Sequence, residues 1–141
     1  MNSEFRLIIE TEANNDNVRV IEQNLNLFNK QFSASDGYEP LNIFIRNEQN
    51  HNIGGLLGET YWSWLHIRIL WIDDKYRKRG FGKQLVMEAE KEAQRRGCKN
   101  VHLDTHDFQA EEFYKKLGYI VFGVLDDLPL GHKRIYMRKV L

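Results

Sequence analysis

Apolar residues recur along the chain at two spacings, and the elements change where the spacing changes. Residues 5–9 are a short apolar run and predict a first strand. Asn14, Asn15 and Asp16 then offer helix-capping oxygens. Val18, Ile21, Leu25, Phe28 and Phe32 follow at intervals of three and four, one face of an amphipathic helix. Residues 33–40 are turn-rich and predict a loop. Leu41, Ile43 and Ile45 alternate as in a second strand, with a turn at Asn50, His51 and Asn52. Residues 53–60 read as a third strand despite Gly54, Gly55 and Gly58, which weaken a strand and mark close approach of a backbone or ligand. Residues 65–72 read as a fourth strand, with Leu65, Ile67, Ile69 and Trp71 on one face.

The period then switches. Leu85, Val86, Ala89 and Ala93 form a helical stripe that Gly97 ends, with Glu92 and Arg96 as an i,i+4 pair. A fifth strand at 101–104 leads to a helix at 109–117 closed by Gly118. Strands at 119–125 and 132–140 flank a turn at 126–131. This order predicts a mixed α/β or α+β fold, a central sheet of about seven strands with helices on both faces.

At 141 residues the chain suits one domain, 1–141. No linker, repeat or low-complexity tract divides it. With 42% hydrophobic and 28% charged residues, it can bury a core. Twenty basic residues balance twenty acidic ones, so no net field draws it to nucleic acid or an anionic membrane. No apolar run approaches the ~20 residues of a spanning helix. Glu4, Arg6 and Glu10 interrupt the N-terminal apolar run, which does not read as a signal peptide. Cys98 is the one cysteine, so neither an internal disulfide nor a cysteine zinc site can form. These features predict a cytoplasmic protein.

The chemistry concentrates in residues 70–83, LWIDDKYRKRGFGK. A strand ends, a basic glycine loop follows, and a helix begins near Gly82. Unpaired amides of a first helical turn and the helix dipole favour an anion there. Gly80 and Gly82 let the backbone approach a phosphate. Arg77, Lys78, Arg79 and Lys83 add positive charge. The dinucleotide fingerprint fails, because the third position after Gly82 is Leu85, and the P-loop pattern fails too. What remains is Arg77-x-x-Gly80-x-Gly82.

A second segment, Phe113-Tyr114-Lys115-Lys116-Leu117-Gly118-Tyr119, follows some thirty residues later. Together with Ala110, it makes the chain resemble the GNAT family of acetyl-CoA-dependent N-acetyltransferases. In that family the R/Q-x-x-G-x-G/A loop binds the pyrophosphate of coenzyme A. The resemblance implies a mostly antiparallel twisted sheet, splayed between its fourth and fifth strands, with coenzyme A in the wedge. The backbone of Leu70, Trp71 and Ile72 would pair with pantetheine, an N–H near Leu70 supporting the oxyanion. Arg77, Lys78, Arg79, Gly80, Phe81, Gly82 and Lys83 would hold the pyrophosphate.

Tyr114 matches the usual general acid, which protonates the departing thiolate. His66 is a candidate base on the fourth strand, and Glu59, at the end of the third, is its rival. Asp107 stands where the family often has an Asn that meets pantetheine. Asp only accepts, so that contact is altered. Asp74 replaces a frequent proline. His102 and His106 lack the helical spacing of a metal pair, and no metal is implied. Tyr61, Trp62 and Trp64 form an aromatic cluster suited to packing, an acceptor pocket or a dimer contact.

The family's variable segments correspond to 33–38 and 126–132. Asp36, Asp126 and Asp127 there favour a cationic small-molecule amine, and a peptide amine stays open. The implied reaction is direct attack of a primary amine on acetyl-CoA in a ternary complex, and the resemblance also implies a homodimer. The alternative is a coenzyme A-binding sensor or interaction module without turnover. A nucleic-acid patch at Lys75, Arg77, Lys78 and Arg79 is disfavoured by the neutral charge, and transfer of other acyl groups stays open.

Overall fold

The computed structural model describes residues 4–33 and 35–141. The chain divides into two compact units, Met1–Ser35 and Asp36–Leu141. The first contains helix α1, Asp16–Asn29, whose N-cap is Asn15. The Asn15 Oδ1 accepts from the Val18 N–H at 2.9 Å. The strand expected at residues 5–9 does not form, and the described sheet has six strands. A strand exists only through a ladder to a neighbour, and this run pairs with none.

The second unit carries strands β1 (Glu39–Arg46), β2 (Asn52–Tyr61), β3 (Trp64–Ile72), β4 (Asn100–His106), β5 (Ile120–Asp126) and β6 (Lys133–Val140). It also carries helices α2 (Phe81–Arg95) and α3 (Glu111–Lys116) and a short 3-10 turn, Asp74–Tyr76. The sheet order is β1-β2-β3-β4-β6-β5, and only the β3–β4 pair is parallel. Leu85, Val86, Ala89 and Ala93 of α2 are buried on Leu56, Leu65, Ile67, Val101, Leu103 and Met137. The two alanines let the helix lie close to the sheet, and each buried leucine contributes about 2 kcal/mol. Tyr114 of α3 joins the same core. No described helix is long and apolar enough to cross a membrane.

Two irregularities in β3 shape everything that follows. The first is a bulge. Leu57 pairs with Ile69 and Gly58 with Ile67, so Arg68 has no residue opposite. The extra residue reverses the faces. Leu65 and Ile67 are in the core, but beyond Arg68 it is Leu70 and Ile72 that pack inward. Ile69 and Trp71, expected on the inner face, are 48% and 49% exposed.

The second is the splay. β3 pairs with β4 only through Trp64–Asn100 to Ile67–Leu103. Beyond that, β3 stays with β2, and Asp104 to His106 stay with β6. A wedge opens between the C-terminal ends of β3 and β4.

Gly58 permits the bulge. A Cβ there would lie 2.3 Å from the His66 carbonyl oxygen. Gly58→Ala is therefore expected to destabilise by about 2 kcal/mol through forced backbone displacement, measured as a lower Tm. An unchanged Tm would show that the bulge does not depend on this contact.

Candidate active site

The β3–α2 loop is built to present amides. Gly80, the N-cap of α2, sits at φ 83 and offers no side-chain cap, and Lys78 is also left-handed at φ 62. The Gln84 N–H already donates to the Gly80 carbonyl, while the N–H groups before it in the first turn have no intrahelical partner. The loop is pinned from below. The Asp73 Oδ1 accepts from the Lys75 N–H at 2.9 Å, the Arg77 Nε donates to the Ile72 carbonyl at 2.9 Å, and Arg77 pairs with Asp74 at 2.6 Å. Lys78 and Lys83 form no ion pair with a described residue, so their charge is open to a ligand.

A cavity of about 700 Å³ fills the wedge. Leu70, Trp71, Ile72, Arg77, Lys78, Gly80, Phe81, Gly82, Lys83 and Tyr114 all line it. These are the sequence-derived loop, strand and phenol positions brought to one place. Tyr76, Asp104, Thr105, Phe108, Gln109, Ala110 and Phe113 complete the wall. Neither sequence motif includes Asp104, Thr105, Phe108 or Gln109. Their signal was position, since they connect the end of β4 to the second motif. A knot of hydrogen bonds sets that connection. The Gln109 Oε1 accepts from the His106 N–H at 3.0 Å, and the Ala110 N–H donates to the Thr105 Oγ1 at 3.3 Å.

Two expected binding residues lie outside this wall. Arg79 folds back, its guanidinium 5.3 Å from the Tyr76 ring centre and its Nη2 donating to the Lys75 carbonyl. The Asp107 carboxylate reaches the hairpin between β5 and β6 instead. It meets the His132 Nδ1 at 3.0 Å and accepts from the Lys133 N–H at 3.1 Å.

Glu59 and His66, the rival bases, also lie outside the cavity wall and are partners. The Glu59 Oε1 meets the His66 Nδ1 at 3.2 Å, and the Glu59 Oε2 accepts from the Arg68 Nε at 2.9 Å. The His66 ring stacks on His102, centres 4.4 Å apart and planes within 2°. Trp64 and Tyr61 present ring contacts to His102, so the aromatic cluster packs around this histidine. Burial and the neighbouring His66 push the His102 imidazole below its usual range.

Tyr114 is 5% exposed. The chain locks α3 around it, with the Tyr114 carbonyl accepting from both Leu117 and Tyr119 N–H groups and Gly118 turning left-handed at φ 95. Tyr119 is anchored in turn, its hydroxyl donating to Glu90 at 3.3 Å beside the Glu90–Lys139 ion pair. The Tyr114 hydroxyl has no hydrogen-bond partner among the described residues. Burial, then the charge of Asp104, pushes this phenol up to about 12.

The family model described as "Acetyltransferase (GNAT) family" matches residues 7–119, and the chain belongs to that family. It is 36% identical over 96 residues to the blasticidin-S acetyltransferase of Streptomyces morookaense, a match covering 65% of this chain and 71% of that one. An acetyltransferase structure from Bacillus cereus ATCC 14579 superposes with a TM-score of 0.84 at 34% identity, covering 94% of this chain and 98% of that one. A candidate streptothricin acetyltransferase from Bacillus anthracis str. Ames, solved with acetyl coenzyme A, is 25% identical with a TM-score of 0.59, covering 67% of this chain and 59% of that one. The chain is an N-acetyltransferase of a family that uses acetyl-CoA.

The raised Tyr114 value has a consequence for stability. Between pH 10 and about 12 an unfolded tyrosine has lost the proton that folded Tyr114 keeps. The native state then binds more protons than the unfolded one, so stability falls as pH rises through that window. Alkaline denaturation curves should show this loss, and Tyr114→Phe should reduce it. An identical slope in the variant would place the phenol in a more polar setting.

Proposed function

We propose that the wedge between β3 and β4 binds acetyl-CoA and that a primary amine attacks its thioester directly. The observation that carries this reading is the single cavity joining the amide-rich loop at Gly80 to the Tyr114 phenol. Lys78, Lys83 and the first-turn amides of α2 would take the pyrophosphate. The splayed half of β3 leaves backbone groups of Leu70 to Ile72 without a β4 partner, which suits pairing with pantetheine. An N–H near Leu70 would stabilise charge on the carbonyl oxygen.

As the new N–C bond forms, the C–S bond breaks and the thiolate must be protonated. Tyr114 would supply that proton. A phenol is protonated at neutral pH with or without burial, and the Tyr114 hydroxyl lies in the cavity wall, free to donate once the sulfur carries charge. Glu59 would orient His66 through Nδ1, and because His66 lies outside the cavity wall its Nε2 would take the amine's proton through water. An intact Tyr114 favours turnover over a sensor role. We read the whole chain as one cytoplasmic catalytic unit whose acceptor is a small-molecule or peptide amine. The similarity to a blasticidin-S acetyltransferase supports the small-molecule class.

Free thiol released from acetyl-CoA over a panel of primary amines tests the activity. With an active amine, Tyr114→Phe should lower kcat by about 100-fold or more while acetyl-CoA affinity stays close to wild type. A wild-type kcat in that variant would remove the acid role. Gly82→Trp tests the cavity. A Cβ at Gly82 already lies 3.3 Å from the Phe113 ring, so an indole there must enter the wedge. Loss of coenzyme A binding by a folded variant is the expected result, and normal binding would put the ligand elsewhere.

A further inference from the structure

The cavity wall divides by charge. Arg77, Lys78 and Lys83 lie at the loop end, and Asp104 is the one acidic residue in the wall among the described residues. Its position follows from the splay. Leu103 is the last residue of β4 that pairs with β3, and Asp104 is the next one, where the wedge begins. The Asp104 side chain is 18% exposed, and its charge reaches Tyr114. Arg134 on β6 holds it by a two-pronged contact, Nε to Oδ2 at 2.7 Å and Nη2 to Oδ1 at 3.1 Å. A carboxylate has about four acceptor positions, so this fork fixes its orientation and leaves capacity for another donor.

We infer that Asp104 is the acceptor-docking residue: its carboxylate receives the ammonium group of the incoming amine and holds it in the wedge beside Tyr114, sharing its charge with its ion-pair partner Arg134. This rests on the reading of the cavity as the acetyl-CoA site. The chemistry is that of a divided cleft. A polyanionic co-substrate is drawn to the basic loop, and a cation is drawn to the opposite end. The class of acceptor that fits is an alkyl amine that arrives protonated. The assigned role is electrostatic docking, and no proton transfer is assigned to Asp104.

The test is amine binding to the coenzyme A-loaded protein, followed by NMR with n-propylammonium as probe and propionate as the control of opposite charge. Wild type should bind n-propylammonium and not propionate. Asp104→Asn should retain coenzyme A affinity and weaken n-propylammonium by about tenfold or more, the scale of a lost charge-assisted contact. Arg134→Gln separates docking from a structural ion pair. It should bind n-propylammonium at least as well as wild type, because the carboxylate remains and its competing cation is gone. If both variants lost the probe equally, Asp104 would be only a structural partner of Arg134, and the inference would fail. It would also fail if Asp104→Asn bound the probe as wild type does, or if wild type ignored it. Failure of wild type to take up coenzyme A would instead overturn the reading of the cavity itself.

Discussion

The site depends on one constraint, that β3 cannot follow both of its neighbours along its whole length. Gly58 leaves room for the β3 backbone to crowd β2, and Arg68 takes up the extra length as a bulge. From there β3 follows β2 and abandons β4. A regular parallel pair would have its hydrogen bonds satisfied and no opening. The splayed pair offers unsatisfied backbone in a cleft, which a ligand with amide groups can complete.

The rest of the cleft is fitted to that opening. The bulge reverses the faces, so Leu70 and Ile72 close the floor while Trp71 remains in the wall. The loop leaving β3 then turns through two left-handed residues, Lys78 and Gly80, into the exposed amides of α2. Across the wedge, the Glu90–Lys139 pair and the Tyr119 hydroxyl fix the end of α3, which places the Tyr114 phenol in the wall. Charged groups follow the same axis, with Lys78 and Lys83 at the loop and the Asp104–Arg134 ion pair at the other end.

Sequence periodicity revealed those elements whose pattern is local. The alanine stripe of α2, the Asn15 cap and the Gly118 stop are all present. It failed where pairing decides. Residues 5–9 are apolar enough for a strand but have no ladder, and alternation along 65–72 gave the wrong face after Arg68 because a bulge leaves no mark in a pattern of period two. The two motifs located the loop and the phenol, since backbone geometry there requires particular glycines. Arg79 and Asp107 carry suitable chemistry, yet neighbours on Tyr76 and on the 132–133 turn claim their side chains. Glu59 and His66 read as rivals because only the β2–β3 register reveals them as a pair. Asp104 became visible as part of the wall only once the splay was known.

The central claim is that the β3–β4 wedge is an acetyl-CoA site. Calorimetric titration with acetyl-CoA, desulfo-CoA and ATP tests it most directly. Saturable binding of both coenzyme A compounds and much weaker binding of ATP is the expected result, because the pantetheine arm as well as the phosphates must find partners. Equal affinity for ATP would reduce the site to a basic loop that binds phosphate, and no heat from acetyl-CoA would contradict the account outright.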